Sequence, residues 1–244
     1  MGKNRIKSIA QRVLGFDTYL YLFSLYKTKK ALNGKYEKGF HYFTTLIPEK
    51  GVILDIGANI GITAIPLARL KNNPLVYAFE PIRENFETLQ KVVNYYKLTN
   101  IILFQTALGN SKGSLRMIMP ISSNARLQGL SKVCQDDSDE DGVYYDVQVD
   151  KLDNVIGRRE TVSAIKIDVE NFEYEVLKGA MYVLHRDKPI IYCELWNNDK
   201  RSKVFSFMKA LGYHIFLYDE KSNNTIEIDE EYRGASNNFL FKYF

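Results

Sequence analysis

The stretch Val52-Ile53-Leu54-Asp55-Ile56-Gly57-Ala58-Asn59-Ile60-Gly61-Ile62-Thr63 constrains the fold more than any other part of the chain. An apolar run ends in an acid, a glycine-containing turn follows, and a helical pattern then begins. An α/β sheet presents a nucleotide-like ligand in this way, at the carboxyl edge of its first strand. Gly57 and Gly61 can take backbone angles closed to other residues, and the helix after them points free N–H groups back at the turn. The spacing is Gly-x-x-x-Gly, not Gly-x-Gly-x-x-Gly, so the dinucleotide fingerprint is not met and a nicotinamide-dependent oxidoreductase is disfavoured. A carboxylate at Asp55 suits a cationic or hydroxyl-bearing ligand better than a pyrophosphate.

From Gly51 onward, short apolar runs alternate with amphipathic helical patterns, which predicts a parallel α/β sheet. Strands are expected at about 52–56, 75–79, 101–104, 164–170 and 189–194. Helical faces are marked by Ile62 to Leu70, Phe86 to Tyr96, Tyr174 to Leu184 and Val204 to Leu211. Two last runs, His214 to Tyr218 and Phe239 to Phe244, are separated by polar residues with no room for a crossover helix. The final strand must therefore run antiparallel to its neighbour. Residues 113–149 break the rhythm: Ser114 to Met119 and Tyr144 to Val149 read as an inserted, lid-like hairpin. Its acidic run Asp136-Asp137-Ser138-Asp139-Glu140-Asp141 reads as a solvated loop.

The chain of 244 residues carries a net charge of +4, unevenly placed. Residues 1–50 hold ten Lys or Arg against three acids, a surplus of seven, so the remainder is at −3. This leading segment has Ile6, Ile9, Val13 and Leu14 at helical spacing and the aromatic run Tyr19-Leu20-Tyr21-Leu22-Phe23. It reads first as one or two helices packed on the main domain (51–244). The alternatives are a membrane-surface or partner-binding helix and an arm covering the substrate. No apolar stretch reaches the roughly 18–20 residues that span a bilayer, and no signal-peptide pattern is present. Two cysteines, Cys134 and Cys193, form neither a metal spacing nor a disulfide framework. The expectation is a cytoplasmic protein, with a peripheral position at the inner membrane face as the variant.

Five β–α alternations followed by an antiparallel hairpin resemble the Rossmann-like S-adenosylmethionine-dependent methyltransferase fold. The expected form is a mostly parallel seven-stranded sheet with an antiparallel last strand, an N-terminal helical extension and the inserted hairpin. The strand-end residues agree chemically with that ligand, which carries a sulfonium, an amino group and a ribose diol but no phosphate. Asp55 can meet the methionyl amino end, with Gly57, Ala58, Asn59 and Gly61 forming the loop. Glu80, 25 residues on and followed by Pro81, can accept both ribose hydroxyls. Thr106 and Ala107 fall where adenine would lie.

Four stretches resemble the FkbM family of methyltransferases: Leu54 to Gly61; Tyr77-Ala78-Phe79-Glu80-Pro81; Ala107-Leu108-Gly109; and Ile165-Lys166-Ile167-Asp168-Val169-Glu170 with Glu173, Val176, Leu177, Lys178 and Gly179. The resemblance covers about residues 51–196. It departs at Asn171, where the family usually has Gly. It implies O-methylation, commonly of a hydroxyl on a sugar or polyketide-type metabolite; a polysaccharide or other glycan is among the acceptors expected.

Methyl transfer needs the hydroxyl aligned in line and its proton removed. Asp168, Glu170 and Glu194 end adjacent strands and could converge. They are read as the catalytic set, either with Asp168 or Glu170 as base or as ligands of a Mg²⁺. Lys166 would orient an acid. His41, His185 and His214 are scattered, and Trp196, Asn197 and Asn198 could contact a sugar. Two other readings stay open: a nucleic-acid methyltransferase, supported only by the basic leading segment, and a non-catalytic S-adenosylmethionine-binding module. The acceptor and the oligomeric state are not legible.

Overall fold

The computed structural model describes residues 2–134, 140–158 and 160–244. Its centre is a sheet whose first strand, β1 (Val52–Ile56), is buried along its whole length. The flanking parallel strands are β2 (Val76–Phe79) and β3 (Ile101–Phe104). A short strand β4 (Ala107–Leu108) then leads into an insertion. This is a hairpin of β5 (Gly113–Ser122) and β8 (Gly142–Asp150), with β6 (Ala125–Arg126) and β7 (Lys132–Val133) between them. The main sheet resumes with β9 (Val162–Ile167) and β10 (Ile190–Glu194) and closes with β11 (His214–Asp219), β12 (Asn224–Ile228) and β13 (Asn238–Lys242).

The order across the main sheet is β12-β11-β13-β10-β9-β1-β2-β3. Strands β3, β2, β1, β9 and β10 are mutually parallel, and β13 enters antiparallel between β10 and β11. The sheet has eight strands where seven were expected. The extra one is β12, paired to β11 at the edge. Its residues alternate in the polar connector that reads as a loop, and Ile226 stays 52% exposed, so no apolar face signals it. The strand expected to run to Glu170 stops at Ile167. Asp168, Val169 and Glu170 leave the sheet as a loop. The helix expected over 174–184 is broken into Glu173–Lys178 and Met181–Asp187.

Two apolar layers sandwich the sheet. Leu54, Ile56, Ile165, Ile167 and Phe205 lie in one; Ile53, Ala164, Leu89 and Phe43 lie in the other. The alternation along β1 and β9 is what a strand buried on both faces requires. The insertion has a core of its own in Met117, Met119, Val147 and Val149 beside Ile82 and Ala107. The residues Asp136, Asp137, Ser138 and Asp139 of the acidic run lie outside the described residues; Glu140 ion-pairs with Lys132 at 2.8 Å.

The leading segment forms three helices: α1 (Gly2–Leu14), α2 (Phe16–Leu32) and α3 (Lys38–Leu46). Leu20 and Phe43 are fully buried, so α2 and α3 are packed against the rest of the chain. The apolar spacing on α1 does not mark a packed face. Ile6, Ile9 and Val13 are 70%, 64% and 76% exposed. The polar side faces inward instead, because the insertion offers it polar partners. Asn4 Nδ2 donates to Ser122 Oγ at 3.3 Å, and the Gln11 side chain exchanges two 2.9 Å hydrogen bonds with the Arg126 backbone. Among the described residues no helix is long and apolar enough to cross a membrane.

Candidate active site

The carboxyl edge of β1, β2 and β9 carries a turn held from several sides. Gly57 N and Ala58 N donate to Phe79 O at 3.0 and 2.9 Å, so the turn folds over the end of β2. Gly57 has φ +77°, and a Cβ there would sit 1.9 Å from Asp168 O. Only glycine allows the two strand ends to approach this closely. Asn59, at φ 48°, donates through its side chain to Gln128 O at 3.0 Å, and Ser24 Oγ donates to Ile60 O at 2.5 Å. Gly61, at φ +91°, opens the following helical turn. The loop is therefore clamped by the insertion on one side and by α2 on the other.

Beneath the loop lies an ion cluster. Lys166, 6% exposed, donates from Nζ to Gly57 O at 3.0 Å and stands 3.4 Å from Asp55 Oδ1 and 3.6 Å from Asp168 Oδ2. Asp55 is fully buried, and its Oδ2 accepts from Thr63 Oγ1 at 2.8 Å. Asp55, expected at a ligand's amino end, lies beneath the loop in this structure. Burial pushes its carboxyl up, against the pull of Lys166 and Thr63, and it braces the loop from inside without reaching a cavity. Asp168 is the acid that faces outward, with its side chain 34% exposed.

Glu80 is 4% exposed. Its Oε2 accepts from Asn59 N at 2.9 Å, and its Oε1 accepts from Ile82 N at 2.9 Å and Asn85 Nδ2 at 3.3 Å. Burial pushes its carboxyl up to about 7 in spite of those donors. Asn85 Oδ1 and Gln128 Oε1 are buried with no hydrogen-bond partner among the described residues, two acceptors left open at cavity walls.

Three cavities meet at Gly57. An apolar slot is lined by Phe79, Leu108, Phe172 and Met117, with Thr106, Ala107 and Pro81 at its rim. A polar recess is lined by Glu80, Asn85, Asp168 and Glu170. The largest, about 430 Å³, lies between the loop, the insertion residues 127–130 and the leading helices, which contribute Asn4, Lys7, Phe23, Lys27 and Tyr36. Lys7 and Lys27 have no carboxylate within ion-pair distance among the described residues. The Lys27 ammonium stands about 6 Å above the Phe23 and Tyr36 rings. A fourth hollow of about 260 Å³ begins at Glu170 and is lined by Lys132, Cys134, Glu140, Asn171, Asn198 and Lys200.

The expected catalytic carboxylates share a neighbourhood but do not form a ligand set. Among the described residues no three His, Cys, Asp or Glu group closely enough to hold a metal ion, which corrects the Mg²⁺ reading of Asp168, Glu170 and Glu194. The geometry gives the reason: Asp168 turns to the Lys166 ammonium, while Glu170 sits beyond the strand end in a left-handed turn at φ 53°. Asn171 follows at φ 72°, a conformation Asn tolerates better than other residues with a Cβ. It stands where the resemblance expects glycine and takes a positive φ. It also uses its side chain: Asn198 Nδ2 donates to Asn171 Oδ1 at 2.6 Å, and Lys200 Nζ donates to Asn171 O at 2.9 Å. Burial raises Glu170 to about 8, helped by the charges of Asp168, Glu194 and Glu173. Burial, then Asp168 and Glu37, raises Glu194 to about 7. Glu173 accepts from Asn171 N at 3.0 Å and Val169 N at 3.3 Å, so it holds the turn.

Sequence reasoning missed Lys7, Phe23, Lys27, Tyr36, Asn85 and Gln128 at the cavities. It also missed Glu37, a half-buried acid that accepts from Tyr192 Oη at 3.2 Å. Asn85 lies in the first turn of the helix that follows Glu80, and its side chain donates to Glu80 Oε1; the rest arrive only by packing. Trp196 is 42% exposed, Asn198 caps the next helix by accepting from Lys200 N at 2.9 Å, and His214 pairs with Glu227.

The chain matches the family model described as Methyltransferase FkbM domain over residues 55–215. Methyltransferase 1 of Beauveria bassiana (strain ARSEF 2860) is 27% identical over 153 residues, covering 57% of this chain and 61% of that protein. Methyltransferase sdnD of Sordaria araneosa is 26% identical over 159 residues, covering 54% and 61%. The chain thus spans less than two thirds of the length of these curated relatives. A crystal structure of Methyltransferase FkbM from Methylobacillus flagellatus KT shares the fold, with TM-score 0.54 and 19% identity over 96% of this chain and 58% of that one.

Proposed function

The chain belongs to the FkbM methyltransferase family, and from that premise we propose that it moves a methyl group from S-adenosylmethionine to a hydroxyl oxygen of a sugar, a glycan or a related small metabolite. The observation that carries the reading is the set of three cavities meeting at Gly57, whose linings differ as the parts of that donor differ. The apolar slot beside Phe79 and Phe172, about 30 Å³ in this structure, offers apolar walls to a purine ring and must widen to admit it. Glu80 and the open Asn85 Oδ1 suit a ribose diol, which needs acceptors. Asp168 suits an ammonium, and Lys7 with Lys27 suits a carboxylate. When bound, the donor supplies a methyl on a sulfonium, already activated for displacement.

The chain's own task is then to place the hydroxyl and take its proton. Glu170 stands where the polar recess meets the hollow lined by Asn171, Asn198 and Lys200. Those side chains offer hydrogen-bond donors and acceptors to a polyhydroxylated acceptor, and the space is about that of a sugar ring. The Glu170 carboxylate would take the hydroxyl proton as the oxygen–carbon bond forms and the donor's carbon–sulfur bond breaks, the sulfur leaving as a neutral thioether.

Because Glu170 is raised to about 8, its protonated, inactive form persists through neutrality. The value of kcat/KM should therefore climb with unit slope as pH rises and level off near 8. Glu170→Gln should lower it by roughly 10²–10⁴-fold and flatten that limb. A wild-type profile already flat between pH 6 and 9 would rule Glu170 out as base.

Lys27→Ala should weaken S-adenosylhomocysteine binding by about tenfold, the worth of one hydrogen bond to a charged group. Binding of 5′-methylthioadenosine, which lacks the carboxylate, should change little. Calorimetry with both ligands checks this, and equal losses would refute the assignment. The acceptor class is tested by a transfer screen with labelled donor against nucleotide sugars, lipid-linked glycans and capsule fragments, with and without chelator. Labelling of RNA and of none of these would overturn the reading.

A further inference from the structure

Helix α1 has two unlike faces. The inner one, through Asn4 and Gln11, is hydrogen-bonded to the insertion, and Asn4 and Lys7 line the large cavity. The outer one carries Ile6, Ile9 and Val13, spaced three and four residues apart and so forming one stripe. All three are more than three-fifths exposed, and Arg5 and Arg12 are exposed along one side of the stripe. The helix contains no acidic residue. Three branched aliphatic side chains side by side in water, next to two guanidinium groups, form a surface that only an apolar and anionic partner satisfies.

We propose that the outer face of α1 docks onto an anionic lipid bilayer, lying in the interface plane with Ile6, Ile9 and Val13 inserted and Arg5 and Arg12 among the headgroups. Charge selects this partner over a second copy of the chain. A two-fold contact through α1 would bring Arg5 and Arg12 of both copies together with no acid on the helix to receive them. The surplus of seven positive charges in residues 1–50, against −3 elsewhere, turns the same end of the chain toward the bilayer. Docking would set the donor cavity lined by Asn4 and Lys7 beneath the helix that lies on the surface. That last consequence rests on the methyltransferase reading; the docking itself does not.

The test is co-sedimentation of the full chain with vesicles of phosphatidylcholine alone and of phosphatidylcholine mixed with phosphatidylglycerol. Binding to the anionic vesicles is expected to be at least ~10-fold tighter and to fall with added salt. The double variant Ile9→Glu/Val13→Glu should lose it, with melting temperature and S-adenosylhomocysteine affinity unchanged. Arg5→Glu/Arg12→Glu should weaken it by ~10-fold or more. Three outcomes would overturn the proposal: no preference for anionic vesicles, wild-type binding by the Ile9→Glu/Val13→Glu variant, or a dimer in light scattering that this variant abolishes without any vesicle binding. Donor affinity is measured on the same samples, so failure of donor binding is distinguishable from failure of docking.

Discussion

Lys166→Met is expected to destabilise the fold by about 3–5 kcal/mol, the range for removing one partner of a buried ion pair. For a chain of this size that corresponds to a drop in Tm of roughly 6–20 °C. Lys166 is one buried cation serving two carboxylates and a carbonyl: Asp55, Asp168 and Gly57 O all lie within 3.6 Å of its Nζ. Burial works against its charge, yet Asp55 and Asp168 together hold its pKa above the ordinary lysine range. Methionine fills much of the same volume, so packing loss is small and the electrostatic loss dominates. In the variant, Asp55, at 0% exposure, keeps only the Thr63 hydroxyl as a donor.

The pH dependence follows from the sign of that change. The folded-state pKa of Asp55, already raised by burial, rises further without Lys166, while its unfolded value stays at about 3.9. The penalty is therefore full above the folded pKa and shrinks as pH falls through it, because the folded state then takes up the proton. Thermal melts of wild type and variant at a series of pH values should show Tm curves that converge toward acid. Coincident curves at pH 7.5 would show that Lys166 does not hold the cluster. The same variant should bind S-adenosylhomocysteine more weakly, since the carbonyl of Gly57 loses the ammonium that donates to it.

Gly57→Ala is expected to lower kcat/KM for methyl transfer by about 100-fold, the scale of a displacement near 1 Å at a reacting centre, and to weaken S-adenosylhomocysteine binding. Two costs add. The residue sits at φ +77°, where a side chain costs roughly 1–2 kcal/mol. The new methyl would also lie 1.9 Å from the Asp168 carbonyl oxygen, a backbone atom that cannot swing aside. Either the β1 turn or the β9 exit must move, and each carries groups that line all three cavities. Gly113→Ala, at a site with nothing within 4 Å of the added carbon, is the control and should bind as wild type. Unchanged affinity in the Gly57→Ala variant would mean that close approach of the two strand ends does not shape the donor cavity.

The two experiments probe one device from opposite sides. Gly57 lets the end of β1 come against the end of β9, and Lys166 reaches from β9 to hold it there. Asp55 and Thr63 brace the turn from within. The loop is thus fixed before any ligand arrives, which lowers the ordering cost of binding. The insertion and α2 complete the clamp through Gln128 and Ser24. Residues far apart in sequence converge on a single turn.

What the sequence by itself determined is the frame. Runs such as Val52 to Leu54 and Val76 to Phe79 are apolar on both faces, and a covered parallel sheet accommodates that. The acids Glu80, Asp168 and Glu194 fell at or just past strand ends because strand length and turn residues are local properties, legible from a few neighbours. The edge strand β12 escaped because its side chains are not buried and leave no periodic trace. The orientation of the charged groups was decided by tertiary structure alone. Asp55 reads as a ligand acid by position, yet Thr63 and Lys166 turn it inward. Ile6, Ile9 and Val13 read as a packed face, yet the polar insertion takes the opposite side of α1. In both cases local spacing fixes which residues share a face. Which face is satisfied depends, apart from the nearby Thr63, on partners more than a hundred residues away, and no local pattern encodes their positions.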